Sequence, residues 1–275
     1  MMLERRTTLS SYLTRLLSQG RVVFSGQEAQ KALGVDRGAF LDAAEKQQRR
    51  KHLISPRRDF YVIVPPQYLS WGAPPPTWYI DSLMQHEKQP YYVGLLKAAE
   101  LHGATHQAVM EFQVVTDKRL PEIRVGRTVI AFYYRKDMET VAKAVEQRKT
   151  DTGYMKVSSP ELTALDLLRY PHASGGLDHI ATVLSDLGGR IEPRKLAALS
   201  ATFERSVVQR LGHLLGRLGH QDRVSLLHAR LLKREPLPWV ELEPAQAADT
   251  QLDSTPAERD TTWRVIVRRP PEPDK

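Results

Sequence analysis

The chain has 275 residues, about twice the usual length of a domain, so two domains are expected. It contains no cysteine, which excludes disulfides, thiolate zinc sites and thiol nucleophiles and favours a reducing, cytoplasmic compartment. The formal net charge is +8, no run of eighteen apolar residues occurs, and charges interrupt the apolar N-terminal stretch, so neither a membrane span nor a secretory signal is expected.

The first elements in chain order are a helix and a short strand. Residues 8–19 place leucines and a tyrosine at helical spacing, and Gly20 is a suitable C-terminal stop. Residues 22–24 are apolar and β-branched or aromatic, which predicts a strand. Ser25 stands three residues before Glu28, a pair typical of a capping box at the start of a second helix.

A turn, a third helix and a hairpin follow. Gly34 is predicted to break the second helix, because glycine reaches the positive φ that a tight turn needs. Asp36 is a suitable cap for a helix from Arg37 to about Lys51, and residues 52–64 alternate around a polar Pro-Arg-Arg-Asp tip, as a hairpin does. This order of elements predicts a winged helix-turn-helix domain over residues 1–66.

The basic residues are concentrated in the same segment. Residues 1–66 contain twelve arginines and lysines against six acidic residues, so a quarter of the chain carries most of the net charge. Such an excess favours double-stranded DNA as the partner, although a solvated basic face has the same composition. The side chains predicted to contact DNA are Ser25, Gln27, Arg37, Lys46, Arg49, Arg50, Arg57 and Arg58. A winged helix used only for protein contacts remains the alternative.

The roles of these side chains follow from their positions. Arg37 lies in the first turn of the third helix, where base edges are usually read, and an arginine there could form a two-pronged contact to guanine. Ser25 and Gln27 open the preceding helix, where short polar groups and backbone amides suit phosphate. Arg57 and Arg58 are at the hairpin tip, from which a wing reaches a neighbouring groove or the DNA backbone.

The rest of the chain predicts an α+β protein in which a mixed α/β region and then helices follow the N-terminal domain. Residues 67–79 are rich in proline and are predicted to be a stiff linker rather than a buried element. The second domain is expected over residues 80–243. Residues 244–275 are expected to be a tail with one strand at 262–267, followed by a charged, frayed end. The predicted helices of the second domain are 92–101, 139–148, 160–169, 178–187, 193–203, 204–218 and 222–233, and its predicted strands are 112–116 and 127–134.

Five strings in the second domain resemble one known family. They are PYYVGLLKAAELHGATHQ at 90–107, FQVVT at 112–116, SPELTALDLL at 159–168, SGGLD at 174–178 and QRLGHLL at 209–215. Together they resemble the AbiEi-type antitoxins of type IV toxin–antitoxin systems over about residues 8–235. The resemblance implies an N-terminal winged helix that represses its own operon. It also implies a C-terminal domain that counteracts a nucleotidyltransferase-class toxin. The resemblance does not imply a stable complex between the domain and the toxin. With the lack of cysteine and of catalytic motifs, we expect a cytoplasmic, non-enzymatic protein without a cofactor.

The resemblance singles out seven residues as the signature of the antitoxin domain: Tyr92, His102, Gly103, Gln107, Glu161, Asp166 and Arg210. Two features depart from the family. The hairpin tip at 55–59 lacks the glycine often found before the aromatic strand, and residues 244–275 show little similarity.

Two of these residues also allow another interpretation. His102 and His106 are four apart, as zinc ligands on one helix face are, but no third ligand is evident, so a histidine at a helix C-terminus is the better explanation. Asp166 lies between leucines and is read as a buried carboxylate that fixes a backbone amide or an arginine, with a surface role in neutralising a toxin as the alternative. His213 and His220 are read as half-buried or surface residues.

Other classes of protein remain as alternatives. A winged helix fused to a nuclease would need an acidic metal-binding triplet, and none occurs in the sequence. The sequence also lacks a Gly-Lys phosphate loop and a G-x-S-x-G elbow. The Gly-Ser and D-x-D motifs of a nucleotidyltransferase are missing as well. A transcription factor that senses a small ligand in its second domain is harder to exclude. A small nucleotidyltransferase-like frame directly downstream of the gene would favour the antitoxin over the sensor.

Overall fold

The computed structural model describes residues 8–105, 109–233, 236–243 and 257–273, which form an α+β structure. The chain divides into two compact units, and each is discontinuous in sequence. The first contains residues 1–92, 110–136 and 147–156, and the second contains residues 93–109, 137–146 and 157–275. These units differ from the segments expected from the sequence, which were 1–66, 67–79, 80–243 and 244–275. The units are discontinuous because strands far apart in the chain pair in one sheet. None of the helices in the described ranges has the length and apolarity that a membrane crossing requires.

The first unit begins with the elements that the sequence predicts. They are α1 at Leu9–Ser18, β1 at Val23–Ser25, α2 at Gly26–Leu33, α3 at Arg37–Arg49, β2 at Leu53–Arg57 and β3 at Phe60–Ile63. The strands form an antiparallel sheet in the order β1-β3-β2. Each helix starts at a side-chain cap, since Thr8, Ser25 and Asp36 accept a hydrogen bond from the backbone amide three residues on.

An aromatic cluster holds these elements together. The ring of Phe24 lies edge-on to Tyr12 at 5.6 Å between centroids and stacks on Tyr61 at 5.5 Å. Phe40 of α3 meets the same Tyr61 ring edge-on at 5.3 Å. All four rings are buried, so α1 and α3 pack on the two strands through one continuous core.

The proline-rich segment differs from its prediction. It contains two short 3-10 helices at Pro66–Tyr68 and Pro76–Trp78, and Ala73 is buried. The indole of Trp78 donates to Asp151 at 2.9 Å, and the Trp78 carbonyl accepts from the Thr152 hydroxyl at 2.7 Å. The segment is therefore packed within the first unit instead of forming a stiff linker outside the fold. Its prolines donate no hydrogen bond, but Trp78 is bound by Asp151 and Thr152. The helix α4, Ile80–Glu87, follows.

A six-stranded sheet has most of its residues in the first unit. Its order is β6 (Ile123–Val125), β7 (Thr128–Tyr134), β5 (Glu111–Thr116), β4 (Tyr91–Val93), β9 (Gly153–Ser158) and β8 (Val145–Thr150). The strands predicted at 112–116 and 127–134 are β5 and β7, which pair in parallel over six residues. The central strands are buried on both faces, as the apolar run of β5 indicates.

Two helices predicted for this region are wrong in part. Residues 91–93 form β4, and the helix α5 starts only at Leu95 and ends at Leu101. The predicted helix 139–148 is a 3-10 helix at Met138–Ala144 followed by strand β8. In both places, pairing with neighbouring strands outweighs the weak local preference for a helix.

The second unit is mainly helical, and the helices predicted between residues 160 and 233 are confirmed within a few residues. They are α6 at Pro160–Arg169, α7 at Gly176–Leu187, α8 at Pro193–Leu199, α9 at Arg205–Arg217 and α10 at Gln221–Leu232. The helix predicted at 193–203 ends earlier, at Leu199, since residues 200–202 form a 3-10 helix. Every residue from Glu161 to Leu168 is buried, so α6 is the centre of this unit.

The tail contains more structure than the single predicted strand, and its end is not frayed as predicted, since Arg269 and the Glu272 amide bind Asp178. The strands β10 (Val240–Glu241), β11 (Glu258–Asp260) and β12 (Val265–Val267) form a sheet in the order β10-β12-β11. Trp263, Val265 and Val267 are buried. The side-chain amide of Gln209 on α9 donates to the Trp263 carbonyl at 2.9 Å. The predicted strand 262–267 forms only from residue 265, since residues 261–264 are a turn.

Candidate functional site

The helix pair α2 and α3 is joined by a short turn. The turn starts at Gly34, which caps α2 with φ of +62°, and ends at Asp36, whose carboxylate accepts from the Ala39 amide at 2.8 Å. Phe40, Ala44 and Gln47 bury one face of α3. The opposite face of α3 is therefore directed to solvent, in the orientation that a DNA-reading helix requires.

Most of the predicted DNA-contacting side chains are exposed around this pair. The side chains of Gln27, Arg37, Lys46, Arg50 and Arg58 are exposed, and the four cations among them form no ion pair within the described part of the chain. Arg37 opens α3, and its charge acts on the Tyr61 hydroxyl. The pKa of Tyr61 is raised, mainly by burial and then by the charge of Asp59, and the charge of Arg37 opposes this rise. These cations are free to meet phosphates.

The exposed face of α3 is not uniformly basic. Helical spacing places Asp42, Glu45 and Arg49 nearly opposite the buried Phe40. Arg49 donates to Glu45 at 2.6 Å, although both side chains are mostly exposed. The charge of Arg49 is therefore largely neutralised on its own helix, and Arg37, Lys46 and Arg50 carry the positive charge that remains.

Ser25 has a structural task at the start of α2. Its hydroxyl accepts from the Glu28 amide at 3.1 Å, which confirms the predicted cap. The Glu28 carboxylate is 2.8 Å from the Arg21 guanidinium, and hydrogen bonding from Arg21 lowers its pKa. A phosphate at this position would have to use backbone amides and Gln27 beside the occupied Ser25 hydroxyl.

Arg57 is placed differently from its prediction. Its Nε donates to Glu87 at 2.9 Å, its Nη2 donates to the Pro121 carbonyl at 2.7 Å, and its guanidinium lies 5.7 Å from the Phe132 ring centroid. Only 19% of the side chain is exposed. These contacts do not favour Arg57 as a wing contact to DNA, because Glu87 of α4 and the Pro121 carbonyl before β6 occupy its guanidinium.

The hairpin tip closes without a glycine. Asp59 adopts a φ of +60°, a conformation that aspartate tolerates better than most residues, and so takes the place where the family often has glycine. The Ser55 hydroxyl donates to the carbonyls of Arg57 and Phe60 at 3.0 and 3.1 Å. The hairpin therefore closes through Arg58 and Asp59, and its strand register shifts between Ile54 and Arg57.

The signature residues of the antitoxin domain fall in different surroundings. Tyr92 is fully buried in β4 of the first unit. In the second unit, His102 caps the end of α5, and its Nε2 is 2.7 Å from the Ser158 carbonyl. Gly103 has a φ of +67° and lies against Arg190, so a side chain there would be strained and crowded. Gln107, like His106, lies outside the described residues.

Two acidic signature residues are buried in α6. Glu161 accepts from the Ser159 hydroxyl at 2.7 Å and from the backbone amide of Glu192 at 2.8 Å, so both its oxygens are used. Asp166 has no exposed surface. These positions favour the packing interpretation over a surface that contacts a partner.

Residues on α9 connect it to the C-terminal sheet. Arg210 donates through Nε to the Glu241 carbonyl at 2.9 Å. His213 is 4% exposed, and its Nδ1 is 2.7 Å from Asp260, so the interpretation of His213 as a half-buried or surface residue is wrong. The sequence carried no signal for this pair, because the two residues are 47 positions apart.

Comparison with known protein families agrees with the resemblance. Residues 92–217 match the family model of the AbiEi antitoxin C-terminal domain. Among solved structures, the crystal structure of the RV2827C protein from Mycobacterium tuberculosis is similar, with a TM-score of 0.68 and 18% identity over 96% of this chain and 93% of that one. No curated protein matches the chain significantly.

The family match confirms the suspected relationship to AbiEi antitoxins over residues 92–217. At 18% identity, the likeness to the mycobacterial protein shows a shared fold that extends over nearly the whole chain.

Proposed function

We propose that this protein is the antitoxin of a type IV toxin–antitoxin system, acts in the cytoplasm without catalysis, and represses its own operon by binding operator DNA. The observation that carries the proposal is the AbiEi antitoxin match over residues 92–217, preceded by the α1–β1–α2–α3–β2–β3 arrangement. That arrangement is typical of a winged helix-turn-helix domain, in which the second helix of the pair enters the major groove.

DNA binding is supported by the exposed cations of the first unit. Arg37 is assigned to base edges, while Lys46, Arg50 and Arg58 are assigned to phosphates. Asp42 and Glu45 face the same side and would repel phosphates, so α3 is expected to meet the groove mainly through its first turn. Arg57 is not part of this proposal.

Gel-shift titration with the upstream DNA of the gene, at two salt concentrations, tests the assignment. We expect Arg37→Ala to reduce affinity mainly for the cognate sequence, by about 1–3 kcal/mol. Arg58→Ala is expected to weaken cognate and random DNA alike and to reduce the salt dependence by about one unit of slope. Equal losses on random DNA for both variants would contradict the distinction, and an unmodified protein that ignores the upstream DNA in dilute buffer would contradict DNA binding itself.

The second half of the proposal is that the protein counteracts a nucleotidyltransferase-class toxin encoded beside it. Co-expression with that toxin tests this, and growth of the poisoned cells is the expected result. The full-length chain is the right reagent, because a cut near residue 80 would remove β1–β3 from the first unit and leave Glu87 without Arg57. The Arg37→Ala variant should still rescue growth, since DNA reading and neutralisation are proposed to be separate. Failure of the folded, full-length protein to rescue would count against the antitoxin function.

A further inference from the structure

A cleft of about 550 Å³ opens in the second unit between α6, α7 and α9. Five apolar side chains contribute to its lining: Leu168, Leu177, Ile180, Val207 and Leu242. Its volume is in the range of small-molecule sites, which combine apolar walls with a few polar groups. None of the functions proposed above uses this cleft.

Arg210 is the polar group that distinguishes the cleft. Its Nε donates to the Glu241 carbonyl at 2.9 Å, which holds the guanidinium in place on the wall. Burial lowers the pKa of Arg210. Its two terminal nitrogens form no hydrogen bond with any other described residue. A partly desolvated guanidinium held in this way is a receptor for a carboxylate, which it binds through two parallel hydrogen bonds.

The other charged residues of the cleft limit the charge of a ligand. Arg169 is occupied by Glu204, at 3.2 Å, and lies over the Phe203 ring. Glu204 and Glu243 both border the cleft, and the field of Glu243 acts on Arg269. The lining thus holds two guanidinium groups and two carboxylates, and Glu204 is paired with Arg169. Arg210 can face a single negative charge on a ligand, whereas a phosphate dianion would be left uncompensated.

We propose that this cleft binds a small organic monocarboxylate with an apolar body, its carboxylate on Arg210 and its body against Leu177, Ile180 and Val207. The site lies within the second unit and requires neither DNA nor toxin. It is separate from the proposed DNA-binding residues, and Arg210, although a signature residue of the antitoxin domain, has no contact with a toxin assigned to it above.

Isothermal titration of the full-length protein with hexanoate and with phenylacetate tests the site, and 1-hexanol serves as the uncharged probe. We expect at least one of the two acids to bind, and hexanol to bind at least about tenfold more weakly than the acids. In the same protein, the methyl resonances of Leu177, Ile180 and Val207 should shift on addition of the acid that binds. No binding of either acid, or equal binding of hexanol, would overturn the proposal.

The variant Arg210→Gln should lower the affinity for the acid at least about tenfold. Arg210→Lys keeps the charge but lacks the two-pronged geometry, so it should bind with intermediate affinity. Arg194→Gln, an exposed arginine of the same unit, is the matched control and should bind as the parent does. If Arg210→Gln fails to fold, Arg210→Lys and the methyl shifts decide. Unchanged affinity in a folded Arg210 variant, or methyl shifts elsewhere in the protein only, would refute the assignment.

Discussion

At the residue scale, adjacent arginines of the hairpin have opposite surroundings. Arg57 is 19% exposed and paired with Glu87, which is 17% exposed. Arg58 is exposed, and its carbonyl is 3.0 Å from the ring nitrogen of His86. A partly buried ion pair leaves an uncompensated charge when one partner is removed, whereas an exposed cation leaves nothing behind. The two arginines should therefore differ in their contribution to stability.

We predict that Arg57→Ala lowers the free energy of unfolding by about 1–3 kcal/mol, because Glu87 loses its partner and Pro121 its donor. Urea denaturation of the full-length protein measures this. Arg58→Ala is the control and should change stability by less than about 0.5 kcal/mol. Equal stability of the two variants would show that the Arg57 contacts contribute nothing to folding.

At the element scale, the helix α9 supports the C-terminal sheet through a close approach. Gly212 is buried on α9, and a Cβ there would overlap the ring of Trp263. Asp260 accepts hydrogen bonds from the backbone amides of Thr262 and Trp263 at 2.9 and 3.1 Å, which fixes the turn carrying that ring. The glycine is thus needed for contact between elements and not for the backbone of the helix.

We predict that Gly212→Ala destabilises the protein by about 1–3 kcal/mol through overpacking against Trp263. The same helix offers a matched control at Gly216, where a Cβ would meet nothing within 4 Å. Gly216→Ala should stabilise by about 0.5–1 kcal/mol, because alanine favours the helix. Thermal unfolding monitored by circular dichroism measures both. A neutral Gly212→Ala would mean that Trp263 moves freely and that the C-terminal sheet is only loosely attached.

At the scale of the whole molecule, the end of the described chain is tied to a helix 91 residues earlier. Arg269 donates to both oxygens of Asp178 in α7 at 3.0 and 2.8 Å, and the Glu272 amide donates to the same carboxylate at 2.9 Å. Hydrogen bonding from Arg269, followed by that from the Glu272 amide, lowers the pKa of Asp178. A carboxyl whose pKa is lowered by folding stabilises the fold above its unfolded pKa, about 3.9, and loses that contribution as the pH falls through the folded value.

We predict that Asp178→Asn lowers stability at pH 7 by less than about 1 kcal/mol, since both side chains are about two-fifths exposed and the pair is screened by solvent. The difference from the parent should shrink below about pH 4 as the parent carboxyl is protonated. Chemical denaturation across this pH range measures it. The exposed Asp117, changed to asparagine, is the control. A difference that persists unchanged at low pH would contradict an ionic contribution from this pair.

The sequence by itself determined the features that depend on a few neighbouring residues. Ser25, Gly34 and Asp36 mark the bounds of α2 and α3 because caps and positive φ angles act within one turn, and apolar spacing places the helices from α6 to α10. The strings that resemble AbiEi antitoxins lie in the segment that the family model matches, except for the first two residues of the string at 90–107.

Only the tertiary structure decided which distant groups meet. Strand β8 replaces a predicted helix because β9 pairs with it, Arg57 leaves the proposed DNA surface because Glu87 lies beside it, and Arg210 faces a cleft that three helices form. These contacts join residues whose separation in the chain has no period or spacing that a local pattern could reveal. Their free energies exceed the small local preferences that sequence reasoning relies on.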